Sequence, residues 1–185
     1  MQLTDPLDEL VAAVRSSSRY STICEDLVRR IGAEELNKRR GIKEAIKATR
    51  SKLHQVAGAY REAPQPYPKW LSSLRGLETN LSDPNLKEFC LQVMASHAST
   101  RERLPFVETF FTRTLASLSP IHSILDLGCG LNPFALPWIP LAPEAPYYAC
   151  DIFEDQVSFI TLTFSPGNKV ANRTSWRVIG IRREP

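Results

Sequence analysis

The sequence has 185 residues, enough for one large domain or two small ones. It is 43% apolar with 14 prolines and a formal net charge of +3, which suits a soluble globular protein and is too small a charge to specify a nucleic-acid partner by itself. No apolar run reaches the length of a membrane span, and the acidic start from Met1 to Glu9 lacks the apolar core of a signal peptide. The four cysteines (Cys24, Cys90, Cys129 and Cys150) are too scattered for a zinc site or a disulfide framework. The expectation is a cytoplasmic protein with neither metal nor membrane contact.

The first predicted element covers residues 6–17, with Leu7, Leu10, Val11 and Val14 at helical spacing, Asp5 as N-cap and Pro6 at the first helical position. A second helix is predicted over about 22–31, with Ile23, Leu27, Val28 and Ile31 on one face, and a third over about 42–59, with Ile42, Ile46, Leu53 and Val56 inward. A basic stripe of Arg39, Lys43, Lys47 and Arg50 marks the outer side of the third. Up to Arg61 there are twelve Lys and Arg against eight Asp and Glu. The stripe reads either as a solvated face or as a footprint that follows phosphates without reading sequence.

Pro64, Pro66 and Pro68, interleaved with Tyr67 and Trp70, predict a stiff connector. A helix over about 68–77 and a turn at Ser82-Asp83-Pro84 follow. Residues 85–118 read as helix in two pieces that meet near Ser99 and Pro105. Leu86, Phe89, Cys90 and Val93 form one apolar face; Phe106, Phe110, Phe111, Leu115 and Leu118 form another. Beyond Asp151, residues 152–164 leave helix and strand both open, 165–175 read as loop, and Trp176 to Ile181 as a last strand.

The stretch from Ile124 to Pro133 carries the chemistry. An apolar run ends on Asp126 and breaks into Gly128-Cys129-Gly130, as a buried strand hands over to a ligand loop. A second apolar run, Tyr147 to Cys150, ends on Asp151, placed to take a ribose hydroxyl pair. The spacing points to an adenosine-type cofactor, with a ligand-free glycine turn as the alternative. Pro133 stands where a nicotinamide fingerprint has its third glycine and has no N–H to offer a pyrophosphate. A cofactor without pyrophosphate, such as S-adenosylmethionine, fits better.

Several stretches taken in order resemble a known family. They are Ser18-Arg19-Tyr20 with Val28 to Ile31, Leu53-His54 with Gly58-Ala59-Tyr60, His97 to Arg103, Cys129 to Pro133, and Cys150-Asp151-Ile152. Together, over about residues 10–155, they resemble the aminoglycoside-resistance 16S rRNA methyltransferases, which act on N7 of guanine-1405 in the 30S subunit. The resemblance implies an α/β fold. A helical N-terminal domain (1–63) would dock on the ribosome and a connector (64–84) would follow it. Residues 85–185 would form a Rossmann-like, S-adenosylmethionine-binding domain that is cut short. It implies cofactor contacts at Tyr60, His97, Ala98, Ser99, Arg103, Gly128 and Asp151, with Arg103 on the methionine carboxylate. RNA contacts would fall to Arg39, Lys43, Lys47 and Arg50. Because guanine N7 carries a free lone pair, no catalytic acid or base is expected and positioning suffices; the target base has to be flipped out.

The family continues past this length, and residues 156–185 match none of its later strands. A shortened sheet leaves an unpaired edge and an uncovered apolar face; a completed one would give a monomer. Three readings follow: an active rRNA methyltransferase, a remnant that docks on RNA without turning over, and a methyltransferase or reductase of a small molecule. Pro133 and the basic stripe count against the third.

Overall fold

The computed structural model describes residues 5–58, 65–77, 80–143, 145–164 and 176–178. They form two compact units. The first gathers the N-terminal helices with Ile152–Glu154. The second gathers the described residues from Gln65 to Asp151 and from Asp155 onward.

The first unit is built from α1 (Pro6–Arg15), α2 (Glu25–Lys38) and α3 (Ile42–Ala57). Asp5 caps α1, its carboxylate accepting from the Leu7 N–H at 3.0 Å, and Pro6 follows where its missing N–H costs nothing. Leu10, Val11 and Val14 are buried there. α2 starts and ends later than its apolar pattern predicts, running past Gly32. A Cβ at Gly32 would lie 2.5 Å from Leu10 Cδ2, so the absent side chain lets Leu10 press close. Ile23 lies ahead of α2 and forms an antiparallel bridge with Phe153. The backbone is stitched on both sides of that bridge, by Cys24 N–H to the Ile152 carbonyl at 2.8 Å and Glu154 N–H to the Thr22 carbonyl at 2.7 Å. Arg15 adds ion pairs to Glu25 and Glu154 at 2.9 and 2.8 Å. On α3 the buried line is Ala45, Thr49, Leu53 and Ala57, with Val56 at 48% exposure. The predicted face follows the large apolar residues; the real one is centred on small ones that admit close helix packing.

One carboxylate of this unit is buried. Glu35, 1% exposed, accepts from Lys52 Nζ at 2.8 Å and from Arg39 Nε at 3.1 Å. The hydrogen bond from Lys52 is the main reason its carboxyl sits below the ordinary value of 4.5.

The second unit comprises α4 (Tyr67–Leu74), α5 (Pro84–Met94), α6 (Ala98–Arg101), α7 (Val107–Thr114), β1 (Ile124–Leu127), β2 (Tyr147–Cys150), α8 (Glu154–Phe164, whose first residue belongs to the first unit) and β3 (Trp176–Val178). α4, which falls in the expected connector, buries Tyr67 and Leu74 in this unit's core. Asp83 is the N-cap of α5, accepting from the Leu86 N–H at 2.9 Å. The stretch read as two helical pieces is broken further by 3-10 turns at Leu104–Phe106 and Ala116–Leu118. Those turns interrupt the helical period. Phe111 is buried, but Phe106 (48%) and Leu118 (65%) are exposed. Residues 152–164, open between helix and strand, resolve mainly as α8.

β1, β2 and β3 are parallel and lie side by side in chain order, with Ile124 opposite Tyr147 and Tyr147 opposite Trp176. A 3-10 segment, Asn132–Trp138, connects β1 to β2 and buries Phe134. The Phe134 ring stacks on Phe159 at 5.2 Å between centroids and meets Phe89 edge-on at 6.3 Å. β1 is less buried than expected: Leu125 (63%) and Leu127 (72%) share an open face, and no other strand among the described residues pairs with its second edge. The loop expected over 165–175 and the end of the last predicted strand lie outside the described residues, as does Tyr60. Among the described residues, no helix is long and apolar enough to cross a membrane.

Glu35 yields the first prediction. A carboxyl held below its unfolded value stabilises the fold above that value and loses the contribution as pH falls through the depressed one. Stability should therefore decline as pH drops below about 4.5, and Glu35→Gln should flatten that decline when urea midpoints are measured from pH 7 to pH 3. Parallel curves for the two proteins would show that Glu35 is not the source of the decline.

Candidate cofactor site

β1 ends and the chain turns at Gly128 and Gly130, with φ of 64° and 52°. This left-handed backbone is open to glycine and strained for other residues. The turn is tied to the end of β2 twice. Cys129 N–H donates to the Cys150 carbonyl at 3.0 Å, and Gly130 N–H donates to Asp151 Oδ2 at 2.8 Å. One oxygen of the predicted ribose carboxylate therefore also holds the glycine turn. Gly130 meets a second constraint: a Cβ built on it would lie 2.9 Å from His97 Cε1. By contrast, a Cβ on Gly128 would meet nothing within 4 Å, so this side of the turn faces open space.

His97 is buried at the start of α6, with Nδ1 and Ser99 Oγ 3.0 Å apart. Its turn is locked by the buried Thr100 hydroxyl, which donates to the Met94 carbonyl at 2.5 Å and lies 3.1 Å from that of His97. Ala98 and Ser99 form the first turn of α6, half-buried. Arg103 follows α6. Its Nε donates to the Ser99 carbonyl at 3.0 Å, its Nη1 donates to Asn132 Oδ1 at 3.2 Å, and its guanidinium lies over the Phe110 ring at 5.5 Å. Asn132 Nδ2 donates in turn to Asp126 Oδ2 at 2.8 Å, and the Tyr147 hydroxyl donates to the same oxygen at 2.6 Å. Burial, and then the nearby Asp126 charge, raises the Tyr147 phenol far above its usual range, so it remains a donor. Burial likewise pushes the Cys90 thiol up to about 12 and the Cys129 thiol higher still, which removes both as nucleophiles.

The structure thus brings His97, Ala98, Ser99 and Arg103 into one turn and joins Arg103 to the glycine loop through Asn132. Gly128 and Asp151 sit at the ends of adjacent strands. Asn132, Asp126, Tyr147 and Thr100 escaped the site prediction. For Asp126, Asn132 and Tyr147 the signal was a polar group set among apolar residues; Thr100, inside the polar stretch Ser99 to Arg103, gave none. The predicted stripe divides: Lys43 and Lys47 on α3 are exposed and make no ion pair among the described residues, while Arg39 caps the end of α2 and not α3 and is engaged by Glu35, and Arg50 donates to the Ala13 carbonyl at 2.6 Å.

Fold and site define a mixed α/β protein, mostly helical, with a glycine turn at the carboxyl end of a parallel strand and an acid at the end of the next. Residues 15–165 match the family described as ribosomal RNA methyltransferase (FmrO), and the chain belongs to that family. It is 33% identical over 175 residues to a 16S rRNA (guanine(1405)-N(7))-methyltransferase of Micromonospora rosea, which covers 92% of this chain and 63% of the relative. A solved structure of the 16S rRNA methyltransferase RmtF in complex with S-adenosyl-L-homocysteine is similar at a TM-score of 0.67 and 26% identity, over 96% of this chain and 64% of that one. The 16S rRNA methylase RmtB is similar at 0.65 and 27%, over 94% and 64%. The chain therefore spans a little under two thirds of the length of these relatives.

The contrast between the two glycines is testable. Gly130→Ala should lower the thermal midpoint more than Gly128→Ala, because it adds a clash to a backbone cost of roughly 1–2 kcal/mol. Removing the ring with His97→Ala in the Gly130→Ala background should recover part of the difference. Equal midpoints for the two glycine variants would contradict the packing of His97 on the turn.

Proposed function

We propose that this chain is an S-adenosylmethionine-dependent 16S rRNA methyltransferase of guanine-1405 N7, acting on the 30S subunit and conferring aminoglycoside resistance. Its second unit is read as the first half of a Rossmann-like methyltransferase sheet, in which β1 precedes the cofactor turn. The reading is supported above all by Arg103, a guanidinium fixed beside a two-glycine turn in a chain of this family.

The residues present suit the cofactor. Arg103 is a planar donor fork matched to a carboxylate. Asp151 offers a carboxylate at the strand end where a ribose is held. Gly128 leaves room beside the backbone. Ala98, Ser99 and His97 shape the adjoining wall. Bound there, S-adenosylmethionine supplies an electrophilic methyl group. The chain's own task is to hold and orient; no residue has to remove a proton from guanine N7, whose lone pair is free. Lys43 and Lys47, and with them Arg39 and Arg50, would follow the RNA backbone by charge and shape. Action on ribosomal RNA puts the protein in the cytoplasm, with no metal and no membrane. A sheet completed beyond β1 would give a monomer. The exposed Leu125 and Leu127 favour one alternative: a docking remnant whose methyltransferase half does not turn over.

Labelled methyl transfer from S-adenosylmethionine to purified 30S subunits, with the modified base mapped by primer extension, tests the reading. Label at guanine-1405 is expected. Arg103→Ala and Asp151→Ala should each weaken S-adenosylmethionine binding about tenfold, the worth of one charged hydrogen bond. Subunit binding without label would favour the remnant.

A further inference from the structure

Asn132 lies between Arg103, the cation proposed for the cofactor site, and a carboxylate. Its Oδ1 accepts from Arg103 Nη1 at 3.2 Å, and its Nδ2 donates to Asp126 Oδ2 at 2.8 Å. The amide can sit only this way round. A guanidinium has donors alone and a carboxylate has acceptors alone, so a flipped amide would face donor to donor and acceptor to acceptor. The second Nδ2 hydrogen has a partner as well, the Tyr147 oxygen at 3.3 Å, while the Tyr147 hydroxyl donates to Asp126 at 2.6 Å. Tyr147 is fully buried and belongs to β2, and Asp126 belongs to β1. The amide is therefore anchored to the rigid part of the unit, and its single carbonyl oxygen is aimed at Arg103. The same guanidinium also donates from Nε to the Ser99 carbonyl and lies over the Phe110 ring.

We propose that Asn132 is the positioning residue for Arg103. Seated on Asp126 and Tyr147, it converts the end of the sheet into a fixed direction for the guanidinium, and so sets the preference of the site for ligands that carry a carboxylate. It acts through Arg103 and not on the ligand. A site holding adenosine alone would have no use for such a brace. The inference rests on the cofactor reading above and adds to it the residue that makes the site select an amino-acid-bearing nucleoside.

The test is calorimetric binding of two probes to the full chain. S-adenosylhomocysteine has the carboxylate; 5′-methylthioadenosine shares its adenosine and sulfur but lacks the carboxylate. Asn132→Ala should weaken S-adenosylhomocysteine about tenfold and leave 5′-methylthioadenosine unchanged, in keeping with one charged hydrogen bond lost at the carboxylate. In the Arg103→Ala background the same substitution should cost nothing more. Tyr147→Phe, which keeps the packing, should show the same selective loss, smaller in size. Unchanged S-adenosylhomocysteine affinity in Asn132→Ala would overturn the assignment. So would equal loss for both probes, which marks a general fold effect, or full additivity with Arg103→Ala, which marks direct contact with the ligand. Wild-type protein that binds neither probe removes the cofactor reading itself, and this assignment with it.

Discussion

The site depends on one backbone constraint, the left-handed turn at Gly128 and Gly130 pinned to the end of β2. Two hydrogen bonds hold it there, from Cys129 N–H to Cys150 and from Gly130 N–H to Asp151. The same turn receives His97, whose ring occupies the space a Cβ on Gly130 would need. The end of β1, the end of β2 and the entry to α6 are thereby brought to one place in the second unit. Arg103 is carried in with α6, and Asn132 leaves the turn in position to meet it. If either glycine took a side chain, the backbone would strain; at Gly130 the helix entry would also be pushed away.

A buried polar chain then gives the turn its chemical direction. Asp126 on β1 and Tyr147 on β2 meet diagonally, two residues out of register, and their hydrogen bonding to Asn132 satisfies every strong donor of the amide nitrogen. A network with all its members satisfied stiffens a site, where a partly satisfied one would weaken it. The cation of Arg103 is balanced through Asn132 without a direct ion pair to Asp126 among the described residues, which keeps the guanidinium available on its remaining side. In the first unit the equivalent economy is Glu35, which ties α2 to Lys52 of α3 and engages Arg39 as well.

Local signals in the sequence carried far. Asp5-Pro6 specifies the start of α1 because the cap and the fixed φ act over a few residues. Asp126, Gly128 and Asp151 are visible as breaks in apolar runs. What failed was periodicity without context. Val56 continues an apolar pattern yet is exposed, because the close packing of α3 selects Ala45, Thr49 and Ala57. Phe106 and Leu118 fall out of phase where 3-10 turns flank α7. Ile152–Glu154 joins the first unit through backbone bonds, the buried Phe153 and the Arg15–Glu154 ion pair, contacts between residues more than a hundred positions apart that no local pattern reports. Arg39 and Arg50 read like Lys43 and Lys47 along the stripe, and only the structure reveals that two of the four are engaged internally. The brace on Arg103 was hidden for a related reason: its members are distant in sequence and meet only when β1 and β2 pair.

In the proposed function the turn, the α6 entry and Arg103 form one cofactor platform within the second unit. Hydrogen exchange with and without S-adenosylhomocysteine examines that claim directly. Slower exchange confined to residues 97–103 and 128–132 is the predicted result, with α1 to α3 unchanged. Protection that appears only in α1 to α3, or nowhere at saturating ligand, would contradict it.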